Sequence, residues 1–600
     1  MRVARGVLLA GWMAVTGIGS TPHSLGAQVQ RPPGGSAESS SLTLPRLSRA
    51  LLLDGDPSDP AWAEAAPLRL TMYEPESGGP PSELTEVRVA HDGEHLYVLA
   101  RLYDQEPDQV RAISLYRDRA GGDDRVGILL DTFHDNESGR LFWTTPNGVR
   151  GDALVMRDGA GMDGNWNTFW DVATARTNEG WFAEFRIPFS SLGFQTEGGL
   201  VRMGMIVFRY IARKDETDVF PAISREHMVL RPSLAEEITL EGVETTRPAY
   251  LTPYVLTGKG RTAELTPDGT AWDYQVDHPR EIGADLRVHL TSNLTLDLSA
   301  NTDFAQVEAD DQQVNLTRFS LFFPEKRQFF QERSDIFFFP TGGRSQLFHS
   351  RHIGLDRGSP VPILGGARLV GRLGRWDMGF LSMQTESAQE LSSENFSVAR
   401  IRRQILNPFS NAGAILVSRV REGGRYNVAY GLDTQLRLAG DDYLTLRWAQ
   451  TFDDQVQEER GFRFGESALV QVTAQRRRNE GFTYRLSGRW AGEDYWPGTG
   501  FQDRRNFTEL SYNLSYLRLM GEESRFRRID PFQLFGYVIL RNENGSVESA
   551  QIEYDTDVIF NTGGSLWWDA EAYYEDLPHE LQFPEDAHVP AGSYWFFRTE

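Results

Sequence analysis

Residues 428–438 read VAYGLDTQLRL. Every second residue from Val428 onward is apolar or aromatic, with one interruption at Thr434, and the residues between them include Asp433 and Arg437. Successive side chains of a β-strand point to opposite faces, so this segment has one apolar and one polar face. A water-soluble antiparallel sheet can show the same alternation. The length favours a strand that crosses an outer membrane, because strands in soluble proteins usually run about five or six residues.

The same alternation recurs along the C-terminal half, and the connections between its strands alternate in length. Long connections span 263–278, 303–364, 386–394, 453–462, 492–505 and 577–591. Short connections lie at 291–293, 373–375, 439–441, 478–480 and 562–564, whereas those near 421–425 and 520–529 break the rule. Outer-membrane barrels have long external loops and short periplasmic turns. We therefore predict a large antiparallel outer-membrane-type β-barrel of about sixteen strands over residues 247–600, with the preceding domain on the short-turn side.

The first residues indicate export. A positively charged start, an apolar run over 7–18 and small residues before position 28 follow in the order of a secretory signal. We assign 1–27 to a signal peptide and the Pro-, Gly- and Ser-rich segment 28–48 to a linker. The sequence closes on SYWFFRTE, within an apparent strand, and we expect it to be truncated before the last strands of the barrel.

Composition excludes several classes of function. The 600 residues contain no cysteine, which rules out disulfides, thiolate metal sites and cysteine nucleophiles. The formal net charge of −23 argues against a nucleic-acid partner, because phosphate binding needs a basic face. No HExxH, GxSxG or P-loop motif is present. We expect no cofactor, and we expect outer-membrane lipid and a glycan as partners.

Residues 49–243 predict an all-β domain of a different kind. Short strand-like runs lie between turn signals at 95–104, 126–133, 153–156, 180–189 and 203–212, which is typical of a β-sandwich. The stretches LDGDPSDPAW (53–62), EVRVAHDGEHLYVLARLYD (86–104), DDRVGILLDTF (123–133) and GWFAEFRIPFSSLGF (180–194) resemble the family nine carbohydrate-binding module. The resemblance implies a sandwich that Asp54 and Gly55 open, with Trp62 packed near its start.

The same resemblance suggests where a sugar would bind. Sugar-binding members stack a pyranose between two tryptophans, since flat aromatic faces suit sugar rings. One of those tryptophans lies just before the motif that here reads DDRVGILLD, where this chain has RDRAGG (117–122) and no aromatic residue. The remaining candidate platforms are Trp143, Trp166, Trp170 and Trp181. Packing inside the core is the alternative for each of them, and Trp166 is the one that we expect to be exposed.

The glycine-rich loop 158–167 that carries Trp166 also offers oxygen donors. Asp158 and Asp163 are candidate ligands for Ca²⁺, which prefers carboxylate and carbonyl oxygens. The spacing of a helix–loop–helix calcium site is absent, and a solvated turn is the alternative.

The longest connection, 303–364, carries the most unusual composition. Its first part, NTDFAQVEADDQQVNLTRFSLFFPEKRQFFQER (301–333), changes from acidic and glutamine-rich to basic and aromatic. Structureless loops of this length are uncommon unless they are functional, and the polar lumen of a large barrel can hold an inserted loop. We predict a plug inside the lumen, with a cap outside the barrel as the alternative.

The candidate residues of this segment fall into two groups. The charged ones are Glu308, Asp310, Asp311, Arg318, Glu325, Lys326 and Arg327. We expect some of them to pair with inward-facing wall residues such as Asp433 and Arg437. The aromatic ones, expected to form a small core of the plug, are Phe322, Phe323, Phe329 and Phe330.

The segment carries a second resemblance, together with SRHIG (350–354) and GGARLVGR (365–372). It resembles a widespread family of bacterial outer-membrane proteins of unknown function, which place a family-nine-like module before a barrel. The resemblance implies an architecture and no activity.

Three hypotheses for function follow. The favoured one is a non-catalytic outer-membrane barrel whose module binds a glycan or another ligand and which serves passage across the membrane. The first alternative is a secreted carbohydrate-active hydrolase, for which a carboxylate pair is needed; Glu308, Asp310, Glu325 and Glu332 are nominal candidates. The second is a structural protein whose module no longer binds sugar.

Overall fold

The computed structural model describes residues 42–49, 51–244, 247–266, 269–302, 313, 315, 317–331, 333–356, 359–387, 392–521, 524–582 and 588–600. The predicted signal peptide, residues 28–41 of the predicted linker, and Glu308, Asp310, Asp311 and Glu332 lie outside the described residues. No helix in the described part is long and apolar enough to cross a membrane.

The N-terminal domain is a β-sandwich, as its alternating short strands predict. Its strands are β1 (Leu42–Thr43), β2 (Thr71–Glu74), β3 (Thr85–His91), β4 (His95–Tyr103), β5 (Arg125–Asp131), β6 (Gly139–Thr144), β7 (Arg150–Met156), β8 (Gly161–Asp163), β9 (Asp171–Thr177), β10 (Gly180–Pro188), β11 (Thr196–Glu197), β12 (Leu200–Ile211), β13 (Glu216–Phe220) and β14 (Glu236–Glu241). One sheet follows the order β1-β14-β12-β5-β6-β7-β8, with β2, β11 and β13 attached, and the other the order β3-β4-β10-β9. Short 3₁₀ turns occupy Pro60–Glu64, Pro107–Gln109, Phe189–Ser191 and Pro232–Leu234.

The two sheets bury one shared core. Alternate residues of β5 and β12 face alternate residues of β4 and β10, which follows from the two-residue period of a strand. The predicted linker ends earlier than residue 48, because β1 pairs in parallel with β14 and the side chains of Leu44 and Leu47 are buried. These residues already belong to the folded domain.

The start of the domain is fixed by one buried carboxylate. Glu184 accepts hydrogen bonds from the Trp62 indole N–H (3.0 Å) and from the backbone N–H of Gly55 (2.9 Å). Gly55 has a φ of +81°, a conformation that favours glycine. Trp62 is buried, as the resemblance implies.

The C-terminal half is a sixteen-stranded antiparallel sheet that forms a barrel wall. The strands and small hairpins are β15 (Ala249–Thr257), β16 (Gly260–Leu265), β17 (Trp272–Asp277), β18 (Arg280–Thr291), β19 (Leu294–Thr302), β20 (Pro340–Gly342), β21 (Ser345–Gln346), β22 (Leu355–Asp356), β23 (Ser359–Pro360), β24 (Ile363–Leu373), β25 (Trp376–Thr385), β26 (Glu394–Gln404), β27 (Asn411–Arg421), β28 (Tyr426–Ala439), β29 (Asp442–Asp453), β30 (Ala468–Arg476), β31 (Gly481–Ala491), β32 (Phe507–Leu519), β33 (Phe526–Arg541), β34 (Val547–Phe560), β35 (Ser565–Leu577), β36 (Leu581–Gln582), β37 (His588–Val589) and β38 (Gly592–Thr599).

The wall follows the order β15-β18-β19-β24-β25-β26-β27-β28-β29-β30-β31-β32-β33-β34-β35-β38, and β16–β17, β20–β21, β22–β23 and β36–β37 are separate hairpins within connections. Two short helices, α1 (Gln328–Gln331) and α2 (Asp454–Arg460), and 3₁₀ turns at Ser334–Ile336 and Ser350–His352 also lie in connections.

The two faces of the wall differ as the alternation predicts. On four neighbouring strands the apolar side chains Ile401, Leu416, Leu432 and Leu446 are between 38% and 52% exposed. Between Leu432 and Thr434, the Asp433 carboxylate points to the other face and accepts two hydrogen bonds from Arg400. An apolar outer band around a polar interior is the pattern of a barrel with lipid outside.

The sandwich lies against the short-turn end of the barrel. Four of the predicted short connections contact it through Ser292, Gly374, Asp441 and Asn479. The N–H of Phe194 donates to the Ser292 carbonyl, and the N–H of Asn479 donates to the Glu226 carbonyl. The domain therefore sits on the side that the sequence predicts.

We expect the lipid-facing assignment to be testable with one pair of arginine variants. Leu486, at the centre of β31, is 47% exposed, whereas Ser511 is opposite Ser487 and shares the inward face of Glu509. Leu486→Arg should cost about 2–4 kcal/mol near the midplane, because a guanidinium must then face lipid. Ser511→Arg should insert almost normally. Heat-dependent gel migration of both variants in an outer-membrane fraction measures this, and equal losses of the folded form would contradict the assignment.

Candidate functional site in the barrel lumen

The described part of the long connection lies on the inner side of the wall. We call residues 317–356 the inserted segment. Arg333 pairs with Asp377 of β25 (3.4 Å), and Arg318 donates to Glu575 of β35 (2.7 Å). β25 and β35 are far apart in the sheet order, so one segment can contact inward side chains of both only from the concave side.

Wall arginines also bind the backbone of the inserted segment. Arg489 of β31 donates to the carbonyls of Thr341 (3.1 Å) and Gly342 (3.0 Å). Arg400 of β26 donates to the Ile336 carbonyl at 3.3 Å. Backbone carbonyls that are buried between the segment and the wall need hydrogen-bond donors, and a charged donor makes the stronger bond.

A phenylalanine-rich cluster anchors the segment. Its buried members from the segment are Phe329, Phe330, Ile336, Phe337, Phe339, Leu347, Phe348 and Ile353, and they pack on inward wall residues that include Leu381, Val398, Ile415 and Val417. Two wall glycines leave room for the rings: a Cβ atom at Gly431 would lie 2.6 Å from Phe339, and one at Gly379 would lie 2.7 Å from Phe337. The inner wall is therefore apolar where this cluster packs, which differs from the polar lumen that the sequence predicts.

The charged residues of the segment pair differently from our expectation. Asp433 and Arg437 were expected as partners, but Asp433 pairs with Arg400 of the wall, and Arg437 lies over the ring of Phe409. Among the described residues, Asp433 and Arg437 satisfy their charges close to their own strands, so the expected pairing of segment charges with the wall is made by other wall residues. Glu308, Asp310 and Asp311 lie outside the described residues.

Arg318 instead reaches Glu548 and Glu575. Glu325 and Arg327 pair within the segment at 2.7 Å, and Arg327 also donates to the carbonyls of Ser350 and Ile353. Lys326 is half-buried. The charges of Glu325 and Arg327 are thus compensated within the segment rather than by the wall.

The four predicted phenylalanines do not form one core. Phe329 and Phe330 pack edge to face at 5.1 Å and belong to the large cluster. Phe322 stacks on His349 at 4.9 Å and meets Phe501, and Phe323 lies half-buried near Arg351. The core that the sequence assigned to the plug alone is shared with the wall.

A loop of the sandwich enters the same space. We call residues 131–138 the docking loop. The Asp131 carboxylate accepts the backbone N–H of Asp135 (3.0 Å) and of Asn136 (2.8 Å), and His134 and Asn136 adopt left-handed conformations with φ of +49° and +59°. Burial raises the pKa of Asp131 well above its ordinary value. These bonds shape a tight projection that presents Asp135 and Glu137 to the barrel.

The docking loop, the wall and the inserted segment meet in one set of ion pairs, which we call the charged junction. Arg372 of β24 contacts Asp135 (2.8 Å) and Asp377 (3.5 Å). Arg402 of β26 contacts Asp377 (3.1 Å) and Asp335 of the segment (3.9 Å), and Arg333 completes the set. Three guanidinium groups thus face three carboxylates. No local periodicity marks this junction in the sequence, because its members are spread from residue 135 to residue 402.

The predicted sugar platforms are not available as flat exposed surfaces. Trp166, Trp170 and Trp181 are 1%, 2% and 0% exposed, so the expectation that Trp166 is exposed is wrong. Trp166 packs edge to face on Phe142 at 6.1 Å, and Trp170 stacks on Phe185 at 5.5 Å. Trp143 is half-buried and its ring covers Gly151. These indoles fill the sandwich rather than presenting a face to a sugar.

The candidate calcium ligands are engaged elsewhere. Asp158 is buried, pairs with Arg231 at 2.7 Å and accepts the Ser233 hydroxyl at 2.9 Å. Asp163 accepts the backbone N–H of Asn165 at 3.0 Å, as in a local turn. A local turn, which was the alternative to a calcium site, accounts for Asp163. The ion pair with Arg231 accounts for Asp158.

A cavity of about 340 Å³ remains between these parts. The inserted segment contributes most of its lining, including Phe338 and His349, and the sandwich contributes Met156 and Met162. The cavity therefore lies where the inserted segment faces the sandwich.

Comparison with known proteins gives a partial match. A family described as a domain of unknown function, DUF5916, matches residues 250–361, which include the first wall strands and the inserted segment. The comparison with curated proteins found no match. A protein of Bacteroides uniformis ATCC 8492, provisionally described as carbohydrate-binding, is 14% identical with a TM-score of 0.28 and covers 34% of this chain and 99% of its own.

Two other solved structures cover more of the chain. OccK7 (OpdD) of Pseudomonas aeruginosa is 9% identical with a TM-score of 0.23 and covers 79% of this chain and 97% of its own. OccAB2 of Acinetobacter baumannii is 9% identical with a TM-score of 0.26, and the shares covered are 79% and 96%. The described fold joins a β-sandwich to a sixteen-stranded antiparallel sheet, and the family match covers the start of that sheet and the inserted segment.

We predict that Phe339 holds the inserted segment in place. Phe339 is fully buried, and removing a buried phenylalanine ring costs about 3–5 kcal/mol. In a Thr341→Cys background, Phe339→Ala should raise the rate of thiol labelling at this fully buried position by about a hundredfold or more. The chain has no native cysteine to interfere. Phe338→Ala is the matched control, because Phe338 is 37% exposed; similar acceleration by both changes would show that the cluster is not the anchor.

We predict that docking of the sandwich weakens as pH rises through neutrality. Burial raises the pKa of Glu137 from 4.5 to about 7, against the opposing charge of Arg402. The carboxyl accepts hydrogen bonds from Asn411 (3.2 Å) and Gln435 (3.0 Å) of the wall. A raised pKa means that the docked state binds the proton more tightly, so its stabilisation is present at low pH and is lost as pH rises through about 7.

Hydrogen exchange of the docking loop in the detergent-solubilised protein, corrected for intrinsic rates, measures this effect between pH 5.5 and 8.5. Glu137→Gln keeps the acceptor oxygen and cannot ionise, so its protection should change less over that range than that of the wild type. A wild-type protein whose protection changes no more than that of the variant would contradict the prediction.

Proposed function

We propose that this protein is a non-catalytic outer-membrane barrel whose lumen is gated by its own inserted segment. The observation that carries the proposal is the set of bonds from Arg333, Arg489 and Arg318 between the segment and distant strands of the wall. A body held from several sides inside a barrel obstructs passage until those contacts open.

The sandwich forms a second barrier in this proposal. It rests on the short turns, which in outer-membrane barrels face the periplasm. The apolar outer band supports the outer membrane as the location, and the apparent secretory signal supports export. Opening from the periplasmic side would then need the docking loop to leave the charged junction.

Binding of a ligand to the sandwich or to the lumen is the natural trigger in this proposal, because a ligand shifts an equilibrium only through different affinity for the two states. The buried tryptophans do not support glycan stacking at the predicted platforms. A glycan ligand therefore needs a surface other than the side chains of Trp166, Trp170 and Trp181.

We predict that weakening the hold on the segment opens the lumen. The double variant Arg333→Gln/Arg489→Gln removes two anchors, and it leaves Asp377 short of one partner, an effect that costs more than the lost bond itself. Single-channel conductance in planar bilayers should rise from nearly closed to frequent openings, and replacing residues 304–361 by a short Gly-Ser linker should give a larger and steadier conductance.

Arg476→Gln is the matched control. Arg476 pairs with Asp442 near a short turn and makes no ion pair with a described residue of the inserted segment. The proposal would be wrong if the double variant and the linker variant both insert normally and conduct no better than the wild type.

A further inference from the structure

Strands β34 and β35 place four carboxylates side by side on the inner face of the wall, namely Glu553, Asp555, Asp569 and Glu571. Tyr573, Glu571 and Asp569 share the face of Glu575, which contacts Arg318 of the inserted segment, because they alternate along one strand. On β34, Ile552 is 50% exposed on the outer face, so Glu553 and Asp555 face inward.

The register sets these carboxylates directly opposite one another. Glu553 pairs with Glu571 across the two strands, and Asp555 pairs with Asp569. Like charges at directly opposite positions of an antiparallel pair are destabilising, and here two such pairs lie side by side. A nearby positive charge would offset the repulsion between these carboxylates.

The protein supplies only part of that charge within its described residues. Among the described residues, Arg598 is the one cation that forms an ion pair with these four carboxylates. Its guanidinium lies 3.8 Å from Glu571, is about half exposed and also pairs with Glu600. Asp569 Oδ1 and Glu571 Oε2 are buried and accept no hydrogen bond, and the two residues are only 7% and 8% exposed. A buried carboxylate oxygen without a donor is costly unless a ligand meets it.

The geometry suits a metal ion. One carboxylate oxygen from each of Glu553, Asp569 and Glu571 lies within 4.8 Å of the others. Glu553 Oε2 accepts a hydrogen bond from the Gln551 amide (2.9 Å), which also contacts the Tyr573 hydroxyl (2.9 Å) and holds the group in place.

We infer that Glu553, Asp569 and Glu571 form a site for a hard divalent cation, with Ca²⁺ as the best fit. The donors are all oxygens, which disfavours Zn²⁺, a metal that is usually held by histidine nitrogen and cysteine sulfur. Ca²⁺ accepts irregular sets of oxygen ligands, whereas Mg²⁺ demands near-ideal octahedral geometry. The bound ion offsets half of the charge of the two opposed carboxylate pairs and joins β34 to β35. The inference does not depend on whether the lumen conducts.

Calcium binding to the full chain tests the site. The detergent-solubilised protein, stripped with a chelator, is titrated with CaCl₂ by calorimetry and with Tb³⁺ by luminescence sensitised through Tyr573. The wild type should bind Ca²⁺ and show Tb³⁺ emission that Ca²⁺ displaces. Asp569→Asn/Glu571→Gln should weaken binding at least tenfold. The control Asp442→Asn should bind as the wild type does, because Asp442 pairs with Arg476 away from the cluster.

Stability provides an independent readout that does not require the variant to bind anything. In chelator, Asp569→Asn/Glu571→Gln should resist heat-induced unfolding on gels at least as well as the wild type, because it relieves the like-charge pairs. Ca²⁺ should raise the unfolding temperature of the wild type and leave that of the variant unchanged. Absence of Ca²⁺ binding in the wild type, or equal Ca²⁺ stabilisation of both proteins, would overturn the inference and assign charge compensation to Arg598 alone.

Discussion

One wall carboxylate, Asp377, connects the three parts of this molecule. It faces Arg333 of the inserted segment and Arg372 and Arg402 of the wall, and Arg372 also binds Asp135 of the sandwich. Buried charges are tolerated only when they are paired and hydrogen-bonded, and removing one member of such a set typically costs about 3–5 kcal/mol. The sandwich and the segment are therefore tied to the wall through one connected set of ion pairs.

The inserted segment is held by two kinds of interaction with different consequences. Guanidinium groups bind its carbonyls and carboxylates, which fixes its position with directional bonds. The phenylalanine cluster supplies most of the apolar burial, at about 1.5–3 kcal/mol for each fully buried ring. Apolar packing has no preferred direction, so the polar contacts determine the single position that the segment takes.

The sandwich buries three of the four indoles that the sequence offered as sugar platforms. Its indoles close the core around Phe142 and Phe185, and Glu184 binds the Trp62 N–H where the domain begins. Loops at one end of the domain contact turns of the barrel.

Much of the barrel could be predicted from the chain alone. Alternation such as that around Leu432 and Asp433 reports a strand with lipid on one side, because the two-residue period is a local property. Loop lengths gave the side on which the sandwich lies, since topology forces short turns to one end.

The inner wall could not be predicted in the same way. Ile415 and Val417 are apolar and face inward, so the alternation that marks a lipid-facing strand disappears where the inserted segment packs. The charged junction unites Asp135, Asp335 and Asp377, and no local period relates them.

For the tryptophans, the resemblance to a carbohydrate-binding module suggested stacking platforms, but burial depends on which strands face each other across the sandwich. Local periodicity fixes which face a side chain takes, and only the tertiary structure decides what that face meets.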